Sequence, residues 1–340
     1  MKRSGHKPTT VLYFSSFAHS GWGGQESLLH LVSRLDRREF RPIVVLPHAG
    51  SLAQRLAENR VDMHLLALPK VNPANMLGMI QAGRRLLTLV SREGVDLLHT
   101  DGPRNTFYAG LAGRLAGKPV LWHARSSSPD RYDPLLGRLC TKIILVAEDL
   151  RDRFQCSGLG RKLITIHNGV DADHFIPGPG KKKIIGGIRF RPDDTLVTVC
   201  ARIEEPKGQR YLIEARGALR HLRRRVHLLF AGEIVEKDYH RECIERAREL
   251  GVMDDVHFLG HVEDVKPLLQ ETDIFVLPSI QGEAFPRSVL EAMSAAVPWW
   301  QPIAGERGRP LPMVSVGFWC RLATAESWQS TLRAWRTMAD

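Results

Sequence analysis

Two short stretches of this 340-residue chain combine residue types suited to a charged, hydroxyl-rich ligand. In the first, Arg202 and Lys207 sit in a loop just after the apolar run Leu196 to Cys200. Two cations at the carboxyl end of a strand can stabilise a departing diphosphate. The same loop also reads as a plain solvated turn. In the second, Glu283 and Glu291 bracket Phe285 and Pro286, with Glu283 in a loop and Glu291 in the following helix. They lie roughly two helical turns apart, so both can point one way. A carboxylate accepts paired hydroxyls well, as on a sugar or ribose, although by spacing alone a surface pair of glutamates fits too.

Other candidates are weaker. Ser20 to Glu26 is a loop between a strand and a helix, and it holds Gly23 and Gly24. Glycines let backbone approach a ligand, and a helix N-terminus offers free N–H groups to an anion. The loop matches neither a dinucleotide nor a Walker pattern, so a structural turn is an equal reading. His123 ends the strand from Pro119, where a ligand could meet it, but a single histidine is more often structural. Asp171 and Asp173 read as a turn and helix cap, not a metal site. The five cysteines form no close metal-type pair and are expected to be reduced thiols. Arg216, Arg220, Arg223, Arg224 and Arg225 cluster at one helix end. They could touch anionic lipid, or simply line a solvated face.

Apolar strands alternate with amphipathic helices and position these residues. Strands are expected at 11–15, 43–46, 64–68, 96–99, 119–123, 143–147 and 163–167, with helices between, including 25–35 and 51–59. Near-continuous apolar strands alternating with helices argue for a parallel sheet covered on both faces. The turn- and charge-rich segment from Pro177 to Lys183 reads as a linker. A second alternation follows, with strands at 196–200, 226–231, 256–259 and 274–277 and helices at 209–223, 239–250 and 288–296. The expectation is an α/β protein with two doubly wound Rossmann-like domains, 1–178 and 184–298, facing a cleft. Ligands in such sheets sit beyond the carboxyl ends of the strands.

Composition narrows the partners. The chain is 43% hydrophobic and 25% charged, which is ordinary for a globular protein and excludes disordered or collagen-like classes. The net charge of +11 favours anionic partners, or reflects heavy arginine usage alone. No interleaved aromatic and basic surface suggests nucleic acid. No apolar run spans a membrane, and no signal peptide is read at the start, so the expected location is cytoplasmic, with peripheral contact at the inner membrane face.

Taken together, the motifs resemble the family-four glycosyltransferases of the GT-B fold (glycosyl transferases group 1), from about Val11 to Pro298. The resemblance is carried by Gly23 to Glu26, Trp122-His123, Ile166 to Asp171, Arg202 with Lys207-Gly208, Phe258 to His261, and Glu283 to Pro286 with Glu291 to Pro298. It implies retaining transfer of a sugar from a nucleotide-diphosphate donor to a glycan or lipid-linked acceptor, with no cofactor and no required metal. By resemblance, Arg202 and Lys207 bind the donor diphosphate, Gly23 and Gly24 line its phosphates, Glu283 contacts the hexose and Glu291 the ribose. His123 lies near the transferred sugar, and Asn168, Phe285 and Pro286 complete the donor site. A non-catalytic nucleotide-sugar-binding remnant and a GT-B nucleotide-sugar epimerase are the rival readings.

The segment from Trp299 departs from the family pattern. Trp299, Trp300, Trp319, Trp328 and Trp335 are five of the chain's seven tryptophans. The family expects a Val-Val-Ala-Thr-Asp strand after the last proline. If the codons of Pro298 to Glu306 are read one base earlier, they can yield Val-Val-Ala-Thr-Asp-Ser-Gly-Gly. The expectation is an out-of-frame tail over 299–340 that leaves the second domain incomplete and its activity weakened or lost.

Overall fold

The computed structural model describes residues 7–21, 23–178, 184–219, 225–281, 283–303 and 317–321. They divide at Asn168/Gly169 into two compact units, each a twisted parallel sheet flanked by helices.

The first unit contains β1 (Thr9–Phe14), α1 (Gly23–Arg34), β2 (Phe40–Leu46), α2 (Ser51–Glu58), β3 (Asp62–Leu65), α3 (Met76–Arg92) and β4 (Leu97–Thr100). It continues with α4 (Pro103–Ala116), β5 (Val120–Ala124), α5 (Asp133–Leu139), β6 (Lys142–Leu145) and β7 (Leu163–Thr165). The strand order is β3-β2-β1-β4-β5-β6-β7, with every pairing parallel. Val11 to Phe14 and Ile43 to Leu46 are buried on both faces, as unbroken apolar runs in a doubly covered sheet must be. Leu28, Leu29 and Val32 of α1 and Leu52 and Leu56 of α2 close one face over Val11, Tyr13 and Val44.

The second unit opens with a short antiparallel hairpin, β8 (Ile184–Ile185) and β9 (Ile188–Arg189). Then come β10 (Thr195–Cys200), α6 (Gln209–Ala218), β11 (Val226–Ala231), α7 (Lys237–Glu249) and β12 (Val256–Gly260). The unit ends with α8 (Lys266–Glu271), β13 (Ile274–Val276), α9 (Arg287–Ser294), β14 (Trp299–Ile303) and β15 (Gly317–Arg321). The order is β12-β11-β10-β13-β14-β15. Strand direction of growth therefore reverses between β1 and β4 in the first unit and between β10 and β13 in the second. Such switch points open a crevice at the carboxyl ends of the strands, where the two flanking loops part to opposite faces.

Several expectations shift. The strand expected at 64–68 is β3 at Asp62–Leu65, and the one at 163–167 ends at Thr165. The helix expected over 209–223 is α6, which stops at Ala218. Arg216 turns inward, bonding Asp255 Oδ2 at 2.7 Å and the Val226 carbonyl at 2.8 Å, and Arg225 bonds the other Asp255 oxygen at 2.5 Å. The arginine cluster is therefore not one exposed stripe. Arg216 is buried because its guanidinium finds a carboxylate and a carbonyl beneath α6, and the close approach of Gly217 to Leu250 packs that helix tightly. Arg220, Arg223 and Arg224 lie outside the described residues, as does 179–183 of the expected linker. The alternation was expected to stop at Pro298, yet β14 extends the sheet, pairing Phe275 with Trp299 and Val276 with Trp300. The ladder bonds are made by backbone groups, so Trp299 and Trp300 can enter it although neither is β-branched. Of the remaining tail, 304–316 and 322–340 lie outside the described residues.

Candidate active site

The second unit's switch point carries the densest polar cluster among the candidates. The loop after β10 runs from Ala201 through a 3₁₀ turn, Glu205–Lys207, to the N-terminus of α6. Its path is fixed in three ways. Gln209 Nε2 donates to the Arg202 carbonyl at 2.8 Å, the Glu205 amide donates to Glu236, and the Ile280 amide donates to the Pro206 carbonyl at 3.0 Å. Gly208 sits at φ +69°, where a Cβ would meet the Pro278 carbonyl oxygen at 2.1 Å. Only glycine lets the loops after β10 and β13 come this close.

This closure brings Lys207 to Glu283, with Nζ 2.6 Å from Oε1. Ser279 Oγ donates to the same oxygen at 2.8 Å. Both charged side chains are about one-fifth exposed, so the pair is partly desolvated but reachable. Arg202 pairs with Glu204 at 2.7 Å. Pro286 caps α9, and one turn in, Arg287 reaches Glu291 Oε1 at 3.3 Å. Phe285 and Pro286 are half-buried between the two glutamates. Burial and the Glu291 charge together push the Cys200 thiol up, so it is neutral. The sequence reading of two cations and two carboxylates thus becomes three ion pairs within one unit. Ser279, Glu204 and Arg287 were missed. Arg287 had a signal, its four-residue spacing from Glu291 on a helix face; Ser279 had none, since only the fold brings it to Glu283.

The first unit presents its own group at the carboxyl ends of β1, β4 and β5. Gly23 and Gly24 begin α1. Among the described residues a Cβ at Gly24 would meet only Arg125 Cδ, at 4.0 Å, so none of them demands glycine there. The loop before α1 is braced by Glu26, which accepts the Gly21 amide at 2.9 Å and pairs with Arg55. Asp101, after β4, accepts the Ser16 amide and hydroxyl at 2.8 and 2.9 Å and so bridges the switch point. Tyr13, His99 and His123 form a row across adjacent strands, with ring centroids 5.0 and 5.5 Å apart. Burial and the nearby Arg125 charge push His99 down to about 4 and His123 down to about 2, so both rings are neutral. Asn168 is half-buried beyond β7 at the end of the unit. Among the described residues, no cluster of His, Cys, Asp or Glu could hold a metal ion, and no helix is long and apolar enough to cross a membrane.

Comparisons with known proteins agree with this anatomy. Residues 22–174 match the family model described as Glycosyltransferase Family 4, and residues 180–300 match Glycosyl transferases group 1. EpsF of Bacillus subtilis, which carries a glycosyltransferase name, is 28% identical over 252 residues, covering 69% of this chain and 64% of its own length. A phosphatidyl-myo-inositol mannosyltransferase of Mycobacterium leprae is 28% identical over 213 residues, covering 60% of this chain and 54% of its own length. The matched region is thus less than two thirds of either relative. In fold, the chain is similar to a glycosyltransferase from Rickettsia africae, with a TM-score of 0.85 at 19% identity, covering 98% of this chain and 89% of that one. It is also similar to HepE of Anabaena, solved with UDP-glucose, with a TM-score of 0.78 at 18% identity, covering 96% and 89%. The two halves of the chain thus match two glycosyltransferase family models in order, and the fold they build is similar to that of GT-B enzymes.

Proposed function

We propose that this chain transfers a sugar from a nucleoside-diphosphate donor to a glycan or lipid-linked acceptor, with retention at the anomeric carbon. The observation that carries the reading is the Lys207–Glu283 pair at the second switch point, with Arg202 in the same loop. A cation and a carboxylate in contact suit the two ends of one bond, diphosphate on one side and sugar hydroxyls on the other. In this reading Arg202 and Lys207 hold the diphosphate oxygens and meet the charge that develops as the glycosidic bond breaks, a role that otherwise falls to a metal ion. Glu283 accepts hydroxyl hydrogens from the hexose, and Glu291, held by Arg287, accepts those of the ribose. Phe285, Pro286 and Asn168 line the donor. Gly23 and Gly24 let the start of α1 approach the phosphates, and His123 faces the transferred sugar.

The acceptor side is the loop before α3 together with the first turns of that helix. Val71 in the loop and Met76, Leu77 and Ile80 in α3 are exposed, beside the exposed Lys70, Arg84 and Arg85. Apolar side chains rimmed by cations fit a lipid-linked acceptor at an anionic membrane face. Flotation with anionic vesicles, against neutral ones, tests that contact.

The direct test of the donor reading is calorimetric titration with UDP, GDP, ADP and dTDP, followed by turnover of the sugar form of whichever binds. At least one binds, and Arg202→Ala and Lys207→Ala each lose it. If none of the four binds, the reading fails. Incubation of the donor alone separates transfer from epimerisation.

A second reading is favoured by one observation in β14. Trp299 Nε1 and Gln301 Oε1 are buried and meet no hydrogen-bond partner among the described residues, a poor match for a strand at this depth. This supports the reading-frame shift after Pro298, in which case the chain is a donor-binding remnant with reduced transfer. Sequencing the coding DNA across Val297 to Trp300 tests it, and an unaltered frame there with full turnover excludes it.

A further inference from the structure

His123 is surrounded by groups that leave its ring little choice of protonation. Arg125 NH2 lies 3.3 Å from His123 Nδ1, and His99 Nε2 lies 3.4 Å from the same atom. A guanidinium has five N–H donors and no acceptor. Whatever shares a hydrogen bond with it must accept, so Nδ1 carries a lone pair and no proton. In a neutral imidazole the single N–H is then on Nε2. His99 must likewise point an N–H at Nδ1, which makes it the Nε2–H tautomer too. Meanwhile His123 Nε2 is buried and meets no hydrogen-bond partner among the described residues. A buried polar atom left unmet beside a bonded Nδ1 calls for an explanation, and a ligand is one.

The strand is held firmly enough for this to matter. Trp122, next to His123, is buried edge-on to Phe154 at 5.5 Å, and Arg153 stacks over it at 5.4 Å while pairing with the buried Asp133 at 2.7 Å. The groups facing the His123 ring are His99 of β4, with Tyr13 of β1 beyond it, and Arg125 from its own strand end.

We propose that Arg125, assisted by His99, is a positioning residue that locks His123 as the Nε2–H tautomer, so that His123 offers a hydrogen-bond donor, and never a base, to an oxygen of the transferred sugar. The sugar as the recipient rests on the proposed function; the tautomer lock does not. His123 then contributes neither charge nor proton uptake to the reaction. It holds an oxygen in place.

The test uses the full chain labelled with 15N-histidine, read by long-range proton–nitrogen correlation without substrate. His123→Gln identifies the His123 signals by their loss. The expected pattern is an unprotonated Nδ1 and a protonated Nε2, unchanged from pH 8 to pH 5. Arg125→Leu is expected to give mixed tautomers and a ring that begins to titrate within that range, with turnover falling about tenfold. Arg125→Lys, an ammonium that also only donates, restores the tautomer. For the sugar contact, His123→Gln places an amide N–H near the Nε2 position and keeps more turnover than His123→Ala. An Nδ1–H or doubly protonated ring in the wild-type chain overturns the proposal. So does an Arg125→Leu chain with an unchanged spectrum, or one with a changed spectrum and full turnover. Because the wild-type spectrum, assigned with His123→Gln, does not depend on Arg125→Leu, a poorly folding Arg125→Leu does not block the answer. A wild-type chain that transfers nothing fails the proposed function alone, while the spectrum still decides the lock.

Discussion

Lys207 Nζ and Glu283 Oε1 stand 2.6 Å apart, and Ser279 donates to the same carboxylate oxygen. With no donor bound, each charge is the other's partner. A diphosphate must therefore draw Lys207 away from Glu283 or share it. Lys207→Ala is expected to lower turnover about 10²–10³-fold, the usual loss for one donor to developing charge. Glu283→Gln frees Lys207 and removes a carboxylate near the phosphates. It should bind the cognate nucleoside diphosphate as tightly as wild type, or a few-fold tighter, while losing transfer to a similar extent. Calorimetry beside a turnover assay separates the two. A Glu283→Gln chain that no longer binds nucleotide contradicts this division of roles.

Two glycines, one in each unit, predict opposite behaviour. Gly208 has φ +69°, and a Cβ there would lie 2.1 Å from the Pro278 carbonyl. Gly208→Ala should unfold the loop pair around Lys207 and lower the melting temperature by several degrees, since backbone strain and a backbone clash add. Gly24→Ala meets only Arg125 Cδ at 4.0 Å and should leave melting unchanged within about 0.5 kcal/mol. If Gly24 serves the donor phosphates, its cost appears in donor affinity instead. Thermal melts and nucleotide titration on both variants check the contrast.

The pattern of apolar runs was enough to place the first sheet and the four strands of the second before Pro298, because a parallel strand buried on both faces has few polar residues to confuse it. Val11 to Phe14 and Leu196 to Val199 are cases in point. The residue types at Arg202, Lys207, Glu283 and Glu291 were legible for the same reason: each follows a strand end. Their pairings were not. Lys207 and Glu283 are 76 positions apart and meet only because β13 lies beside β10 in the sheet. The same holds for His99 and His123, which share a face through neighbouring strands. Arg216 misled for a different reason. Helical spacing put it with the other arginines, but its depth is set by Asp255 at the start of β12, a tertiary contact that periodicity does not contain.

The neutral histidine pair predicts acid sensitivity in the first unit. Burial holds the folded His99 at about 4 and His123 at about 2, against an ordinary value near 6.5. Below about pH 6.5 the unfolded chain binds protons that the folded chain refuses, so stability falls as pH falls. The contribution is fully present above about 6.5 and declines on acidification until the folded groups themselves titrate, near 4 for His99. Each histidine can add up to about 1.4 kcal/mol per pH unit in that window. His99→Gln, which cannot ionise, should flatten the fall in melting temperature between pH 6.5 and 4. An identical slope in wild type and His99→Gln would show that other groups govern the acid limb.

In β14, side chains and position disagree. Central parallel strands favour β-branched residues. Here Trp299 and Trp300 face β13, and Trp299 Nε1 and Gln301 Oε1 are buried with no hydrogen-bond partner among the described residues. Each such group costs about 1–3 kcal/mol. Trp300 is different, because its ring lies in the core with Val276 and Ile274 and only 5% of it is exposed. Trp300→Val alone should destabilise by about 3 kcal/mol through the cavity it leaves. Trp299 is only partly buried, so Trp299→Val gives up less buried apolar area and its loss should be clearly smaller. A chain recoded from Trp299 onward in the alternative frame exchanges the whole strand together with every residue after it. If that frame is the one the second sheet was built for, the recoded chain melts higher and turns over faster than this one. Should it melt lower, the tryptophans belong to the fold, and the unmet groups in β14 need another account.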